Sequence, residues 1–136
     1  MNNKELMNHA ADNIRLLAVS MVEKAKSGHP GGAMGGADFI NVLFSEFLVY
    51  DPDQPTWAGR DRFYLDPGHM SPMLYSALAL QGKFTIEELK TFRQWGSDCP
   101  GHPERDIIRG IENTSGPLGQ GHTYAVGAAI AEKFLQ

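Results

Sequence analysis

The sequence predicts an α/β chain that is rich in helix and holds only part of a parallel sheet. Three observations carry that reading. Four or five segments show helical periodicity or helix caps, whereas only two short runs look like strands. Glycine and proline together make 23 of 136 residues, about 17% against a usual ~12%, and they cluster between those segments. The final helix is apolar nearly all round, more than one or two strands could cover.

Taken in order, residues 4–26 set Met7, Ala10, Ala11, Ile14, Leu17, Ala18, Met21, Val22 and Ala25 at helical gaps, and Gly28 can end that helix. A second helix is expected over 33–48, with Ala37, Ile40, Phe44 and Phe47 on one face. Pro52 and Pro55 make 51–59 a loop. Phe63-Tyr64-Leu65 is short and strand-like. Ser71-Pro72 reads as N-cap and first residue of a helix to Leu80, closed by Gly82. Thr85-Ile86-Glu87-Glu88 is a capping box that opens a short helix with Leu89 and Phe92 inward. A glycine- and proline-rich loop follows over 96–106, then a brief strand within 107–113 and a last helix over 119–134. From Tyr124 to Ala131 that helix carries no charge, so it is expected to be buried on most faces. Nothing later in these 136 residues can cover it. Extensive self-association or continuation into a larger α/β domain would each supply the cover, and the shortage of strands favours continuation.

Composition narrows the function classes. With glycine counted, about half of the residues are apolar, which excludes disorder as the main state. The longest unbroken apolar runs are four residues, among them Leu16 to Val19, far from the ~20 of a membrane span. Met1-Asn2-Asn3-Lys4-Glu5 is too polar for a signal peptide, so a cytoplasmic, membrane-free protein is expected. Twelve basic against 16 acidic residues, with no basic cluster, argue against a nucleic-acid surface. A single cysteine, Cys99, makes no internal disulfide.

The surplus glycine and proline build four turns. Three carry a histidine: Ser27-Gly28-His29-Pro30-Gly31-Gly32, Pro67-Gly68-His69 and Pro100-Gly101-His102-Pro103-Glu104. Glycine lets backbone approach a ligand closely, proline fixes the turn, and a histidine held there can bind phosphate oxygens or move protons near neutral pH. The fourth, Thr114-Ser115-Gly116-Pro117-Leu118-Gly119-Gln120-Gly121, enters the last helix, where free N–H groups favour an anion. Its order is neither a Walker A motif nor the dinucleotide fingerprint.

These segments, with Arg60-Asp61-Arg62-Phe63 and Leu74-Tyr75 between them, resemble the start of transketolase in content, order and spacing over about residues 10–135. The resemblance implies that residues 1–136 are the helix-rich front part of a thiamine-diphosphate-binding domain, truncated, with its parallel sheet incomplete. It implies thiamine diphosphate with a divalent metal, Mg2+ or Ca2+. The reaction implied is transfer of a two-carbon ketol unit from a ketose phosphate to an aldose phosphate. On the matching positions, His69 contacts the cofactor near its diphosphate, and Gly116, Pro117 and Leu118 lie along it. His29 and His102 become the catalytic, substrate-facing histidines. The family's metal-binding Asp and Asn segment falls beyond Gln136, and its activating glutamate lies in a later domain across a dimer. The implied partners are therefore sugar phosphates and the rest of the chain, or a separate C-terminal subunit, in a homodimer. The 136 residues alone are expected to bind cofactor weakly, if at all, and to be inactive.

His122 stands where many of the family carry an aliphatic residue, and it reads as a helix-start residue. Other readings compete. A zinc site on His29, His69 and His102 lacks any close ligand pair, since the three are 40 and 33 residues apart. A Cys99–His102 nucleophilic dyad has no further support. A non-catalytic or split-subunit assembly module, and a relative resembling dihydroxyacetone synthase, are the remaining alternatives. Arg60, Asp61 and Arg62 read as structural ion-pairing residues, and Trp57, Trp95 and the phenylalanines as core or loop anchors.

Overall fold

In the computed structural model, which describes residues 3–135, the first helix is α1, Lys4–Ala25. Asn3 caps it, its side-chain oxygen accepting from Glu5 N (2.8 Å) and Leu6 N (3.4 Å). The stop comes before Gly28. Lys26 takes the left-handed conformation, φ 49°, and closes the helix with a bond to Glu23 O. Gly28, at φ 131°, instead opens the first histidine turn.

The second predicted helix begins earlier than 33 and is not uniform. Pro30 starts it as first helical residue, giving α2 (Pro30–Gly35) and, past Gly36, α3 (Ala37–Val42). Its end widens into one π turn, Leu43–Phe47, closed by Leu48 N to Leu43 O at 2.9 Å. The wider turn rotates Phe47 off the buried face, and it stands exposed rather than beside Ala37, Ile40 and Phe44. Gly36 allows close packing here: a Cβ there would lie 2.5 Å from Met73 Sδ.

Helix α4 (Ser71–Leu80) is the centre of the molecule, with every residue from Ser71 to Leu78 buried. It is entered through a single 3₁₀ turn, Gly68–Met70, so Ser71 is its first residue and not its cap. α1, α2 and α3 all pack on α4. Ile14, Ala18 and Met21 meet Ile40, Leu74 and Leu78 in one apolar cluster, which Phe84, Leu89 and Phe92 extend beyond α4. The capping box is present as read: Thr85 Oγ1 accepts from Glu88 N (3.2 Å), and Glu88 accepts from Thr85 N (2.7 Å), opening α5, Ile86–Leu89.

Neither predicted strand forms. Phe63-Tyr64-Leu65 has no neighbouring strand to bond, and among the described residues there is only an isolated antiparallel bridge, Asp106 to Ile111. The partner that Leu65 finds is a side chain. Asn113 Oδ1 accepts from Leu65 N (3.0 Å) and Asn113 Nδ2 donates to Leu65 O (3.2 Å), as a facing strand would. The 107–113 segment is a 3₁₀ turn, Ile107–Arg109, capped by Asp106. The parallel sheet expected from the sequence thus has no strand or ladder among the described residues.

The last helix, α6, is Gln120–Leu135, and Gly121 is its only buried residue. As the sequence leads one to expect of these residues by themselves, its apolar faces stand uncovered among the described residues. Val126, Ile130 and Phe134 are exposed. Trp95 is fully exposed too, and anchors nothing; Trp57, Phe39 and Phe134 are also exposed, whereas Phe84 and Phe92 are core. Arg60 and Arg62 are structural as expected. Arg60 forks onto Glu112 (Nε–Oε1 2.9 Å, Nη2–Oε2 3.2 Å), and Arg62 pairs with Glu132 of α6. Among the described residues no helix is long and apolar enough to cross a membrane.

Candidate active site

The three histidine turns, far apart in sequence, come together at one end of α4. Gly28 and Pro30 deliver His29 as the N-cap residue of α2. The 3₁₀ turn that leads into α4 delivers His69. Their rings stand 4.7 Å apart between centroids, tilted by 43°. The third turn is held down by α4: Ser71 Oγ donates to Gly101 O (2.7 Å) and Tyr75 Oη to Pro100 O (2.9 Å). Burial raises the Tyr75 phenol well above its ordinary range, so it serves as a permanent donor.

His102 lies against the second turn. A Cβ on Gly68 would stand 3.1 Å from His102 Cδ2 and 2.8 Å from Ser115 Oγ, so only glycine lets these three segments meet. Burial, then Arg93, His69 and His29, hold the His102 imidazole below the ordinary histidine range. It is therefore kept neutral, able to accept a proton from a substrate hydroxyl. Cys99 is buried, with its thiol pushed up to about 12, chiefly by burial, which removes the nucleophilic dyad. No group of three or more His, Cys, Asp or Glu among the described residues could hold a metal ion.

The glycine-rich turn closes the site from the other side. Ser115 N donates to Pro103 O (3.0 Å) and Arg105 N to Thr114 Oγ1 (2.9 Å), tying it to the His102 loop. Asp66, three residues before His69, binds the entrance of α6 with both oxygens. Oδ1 accepts from Gly119 N (3.1 Å) and Oδ2 meets His122 Nδ1 (3.0 Å). His122 thus braces the turn from outside. Gly121 sits so tightly on Leu65 O that a Cβ would overlap it. By contrast nothing lies within 4 Å of where a Cβ on Gly116 would be, and Pro117 and Leu118 are exposed. Ser115 Oγ is buried without a partner among the described residues.

The structure therefore brings His29, His69 and His102 together and sets Ser115 of the Gly116 turn beside them through Gly68. Asp66, Asn113 and Ser115 complete the frame. Sequence reasoning missed Asp66 and Asn113 because each is one common polar residue whose partner lies 48 to 56 positions away.

Comparisons with known proteins give the chain a family. The family described as "Transketolase, thiamine diphosphate binding domain" matches residues 6–136. The chain is 55% identical over 126 residues to Transketolase 1 of Escherichia coli, covering 92% of this chain and 19% of that protein. It is 51% identical over 132 residues to the chloroplastic Transketolase-1 of Arabidopsis thaliana, covering 96% and 18%. Among solved structures, transketolase from Leishmania mexicana superposes with a TM-score of 0.87 at 47% identity, over 93% of this chain and 19% of that one. The H261F transketolase mutant from Pichia stipitis gives 0.89 at 46%, over 94% and 19%. The chain spans about a fifth of the length of these relatives. By sequence and by fold it belongs to the transketolase family, and it matches that family's thiamine diphosphate binding domain.

Proposed function

We propose that this chain supplies one wall of a transketolase active site, in a protein that moves a two-carbon ketol unit from a ketose phosphate to an aldose phosphate. The observation that carries the reading is the convergence of His29, His69 and His102 through Gly68. A polyhydroxylated substrate requires several fixed hydrogen-bonding groups, because each buried polar group left unpaired costs about 1–3 kcal/mol.

The residues present fit thiamine diphosphate. Open space at Gly116 leaves room, and exposed Leu118 offers an apolar face. Gly116, Pro117 and Leu118 would lie along the cofactor and His69 would bind near its diphosphate. When bound, thiamine diphosphate supplies the nucleophilic carbon that accepts and returns the ketol unit. His29 and His102 orient the sugar hydroxyls. Neutral His102 takes a hydroxyl proton and gives it back, and the exposed neighbouring imidazole of His29 shares that hydrogen-bonding work. Cofactor and substrate exchange through the open side on which both histidines are exposed.

The ligands of the divalent metal, Mg2+ or Ca2+, would come from outside these 136 residues, on a continuing chain or a C-terminal subunit, with the second half of the site from a homodimer partner. A cytoplasmic setting goes with this reading. The deciding experiment is ketol transfer between a ketose phosphate and an aldose phosphate by the full-length protein, with thiamine diphosphate and Mg2+. Activity that disappears in His69→Ala and His102→Ala supports the reading; no transfer by the wild type sinks it. Residues 1–136 alone should bind thiamine diphosphate weakly by calorimetry and transfer nothing. Submicromolar binding with turnover would overturn that part. A non-catalytic assembly role has one observation in its favour, the uncovered apolar surface of α6, and it would leave the full-length protein inactive.

A further inference from the structure

Three turns from distant parts of the chain need a common frame, and Arg93 provides one although it belongs to none of them. Its backbone lies at φ 61°, the left-handed region that residues with side chains seldom take. A bond from its N–H to Cys99 O at 3.0 Å holds it there. From this position the guanidinium reaches two histidine turns at once. Nη1 donates to Ser27 Oγ at 2.8 Å, 66 residues away in sequence. A Cβ on Gly101 would stand 2.5 Å from Nε, so the guanidinium lies directly on the His102 turn. Nε is buried without a hydrogen-bond partner among the described residues. An uncommon backbone and an unsatisfied buried donor both cost stability, and such costs cluster at functional sites. An open cleft of about 670 Å³ passes Ser27, Arg93, Gly101 and His102.

We propose that Arg93 is a positioning residue of the ketol-transfer site, its guanidinium tying the Ser27–His29 turn to the Gly101–His102 turn and so setting the two substrate-facing imidazoles relative to each other. The inference rests on the transketolase reading above. The same cation acts on His102 through space. Three groups face His102, namely Arg93, His69 and His29, and after burial Arg93 is the largest cause of its lowered proton affinity. Removing the charge raises that affinity, so His102 becomes protonated at a higher pH.

The test uses the full-length protein with Arg93→Gly and Arg93→Lys. Glycine suits φ 61°, so Arg93→Gly deletes the guanidinium without straining the backbone, and its unfolding midpoint reports this. A wild type without ketol transfer would sink the reading of the site; an active wild type leaves Arg93 to be judged on its own. In Arg93→Gly, kcat/KM falls about 10- to 100-fold, the scale of a ~1 Å misplacement, while thiamine diphosphate affinity is unchanged. In the cofactor-free protein, modification of His102 by diethyl pyrocarbonate is followed by peptide mass spectrometry. Its pH midpoint moves upward in Arg93→Gly and returns toward wild type in Arg93→Lys. Lysine keeps the charge but not the fork, so kcat/KM of Arg93→Lys stays below wild type. Two results overturn the proposal. One is wild-type turnover with an unmoved His102 midpoint in Arg93→Gly. The other is cofactor affinity falling in parallel with rate, which would mark a general collapse of the site.

Discussion

Helices α4 and α6 are alike in sequence and opposite in structure. Both are apolar nearly all round, and neither carries a charge through its middle. Yet α4 is buried from Ser71 to Leu78, whereas α6 buries only Gly121. The difference lies in what surrounds them. α4 is flanked by α1, α2 and α3, and its buried hydroxyls are matched, Ser71 to Gly101 O and Ser76 to Pro72 O. Polar ties hold α6 to the rest at its entrance, through Asp66, and near its end, through the Arg62–Glu132 pair. An apolar helix states a demand for cover; only its neighbours decide whether the demand is met.

The contrast can be broken by experiment, most forcefully in α4. Leu74→Ala opens a cavity in the core and should cost about 2–5 kcal/mol in urea unfolding of the 136-residue chain. A cost under 1 kcal/mol would mean that α4 is not the centre of the fold. A smaller loss, about 1–3 kcal/mol, is expected for Asn113→Ala, which strips Leu65 N and O of both partners. Hydrogen exchange should show it as lost protection of the Leu65 amide.

The hinge between the two regions, Asp66, should respond to acid. The hydrogen bond with His122, with Gly119 N–H behind it, holds its carboxyl below the usual carboxylate range. A carboxyl depressed in the folded state stabilises fully above its unfolded value near 3.9, and the effect is lost as pH falls through the folded value. The urea midpoints of wild type and Asp66→Asn should therefore differ at about pH 5 and converge in stronger acid. A gap that widened in acid would remove Asp66 from the docking of α6. The smallest effect belongs to α6 itself, where Ile130→Ser should change stability by no more than about 0.5 kcal/mol. A cost like that of Leu74→Ala would show that α6 is covered in solution by a second copy.

How much of this was legible depended on how local the determining contacts are. The Thr85–Glu88 capping box and the α1 stripe are complete within a few residues, and both were read correctly. The stop of α1 was misplaced because Lys26 took the left-handed position that glycine usually fills, leaving Gly28 to the histidine turn. Phe47 was misplaced because one π turn shifts the register, something a regular helical period cannot anticipate. The Phe63–Leu65 strand failed because a ladder is a property of two segments, and here a single Asn113 amide stands in for the second. At the site, the glycine turns and their histidines were visible one by one. Their meeting was not, since Gly68, His102 and Ser115 join through packing that no spacing rule encodes.

The ties that shape the site also have consequences for the order in which the chain folds. Arg93 to Ser27, Leu65 to Asn113, Arg60 to Glu112 and Asp66 to Gly119 close loops of 48 to 66 residues. Helices form quickly from near neighbours, while such closures carry a larger entropic cost and come late. The histidine wall is therefore set by late, long-range closures, as is the packing of α1 on α4. A ligand that recognises only the finished wall favours these closures, and so selects chains that have folded to completion.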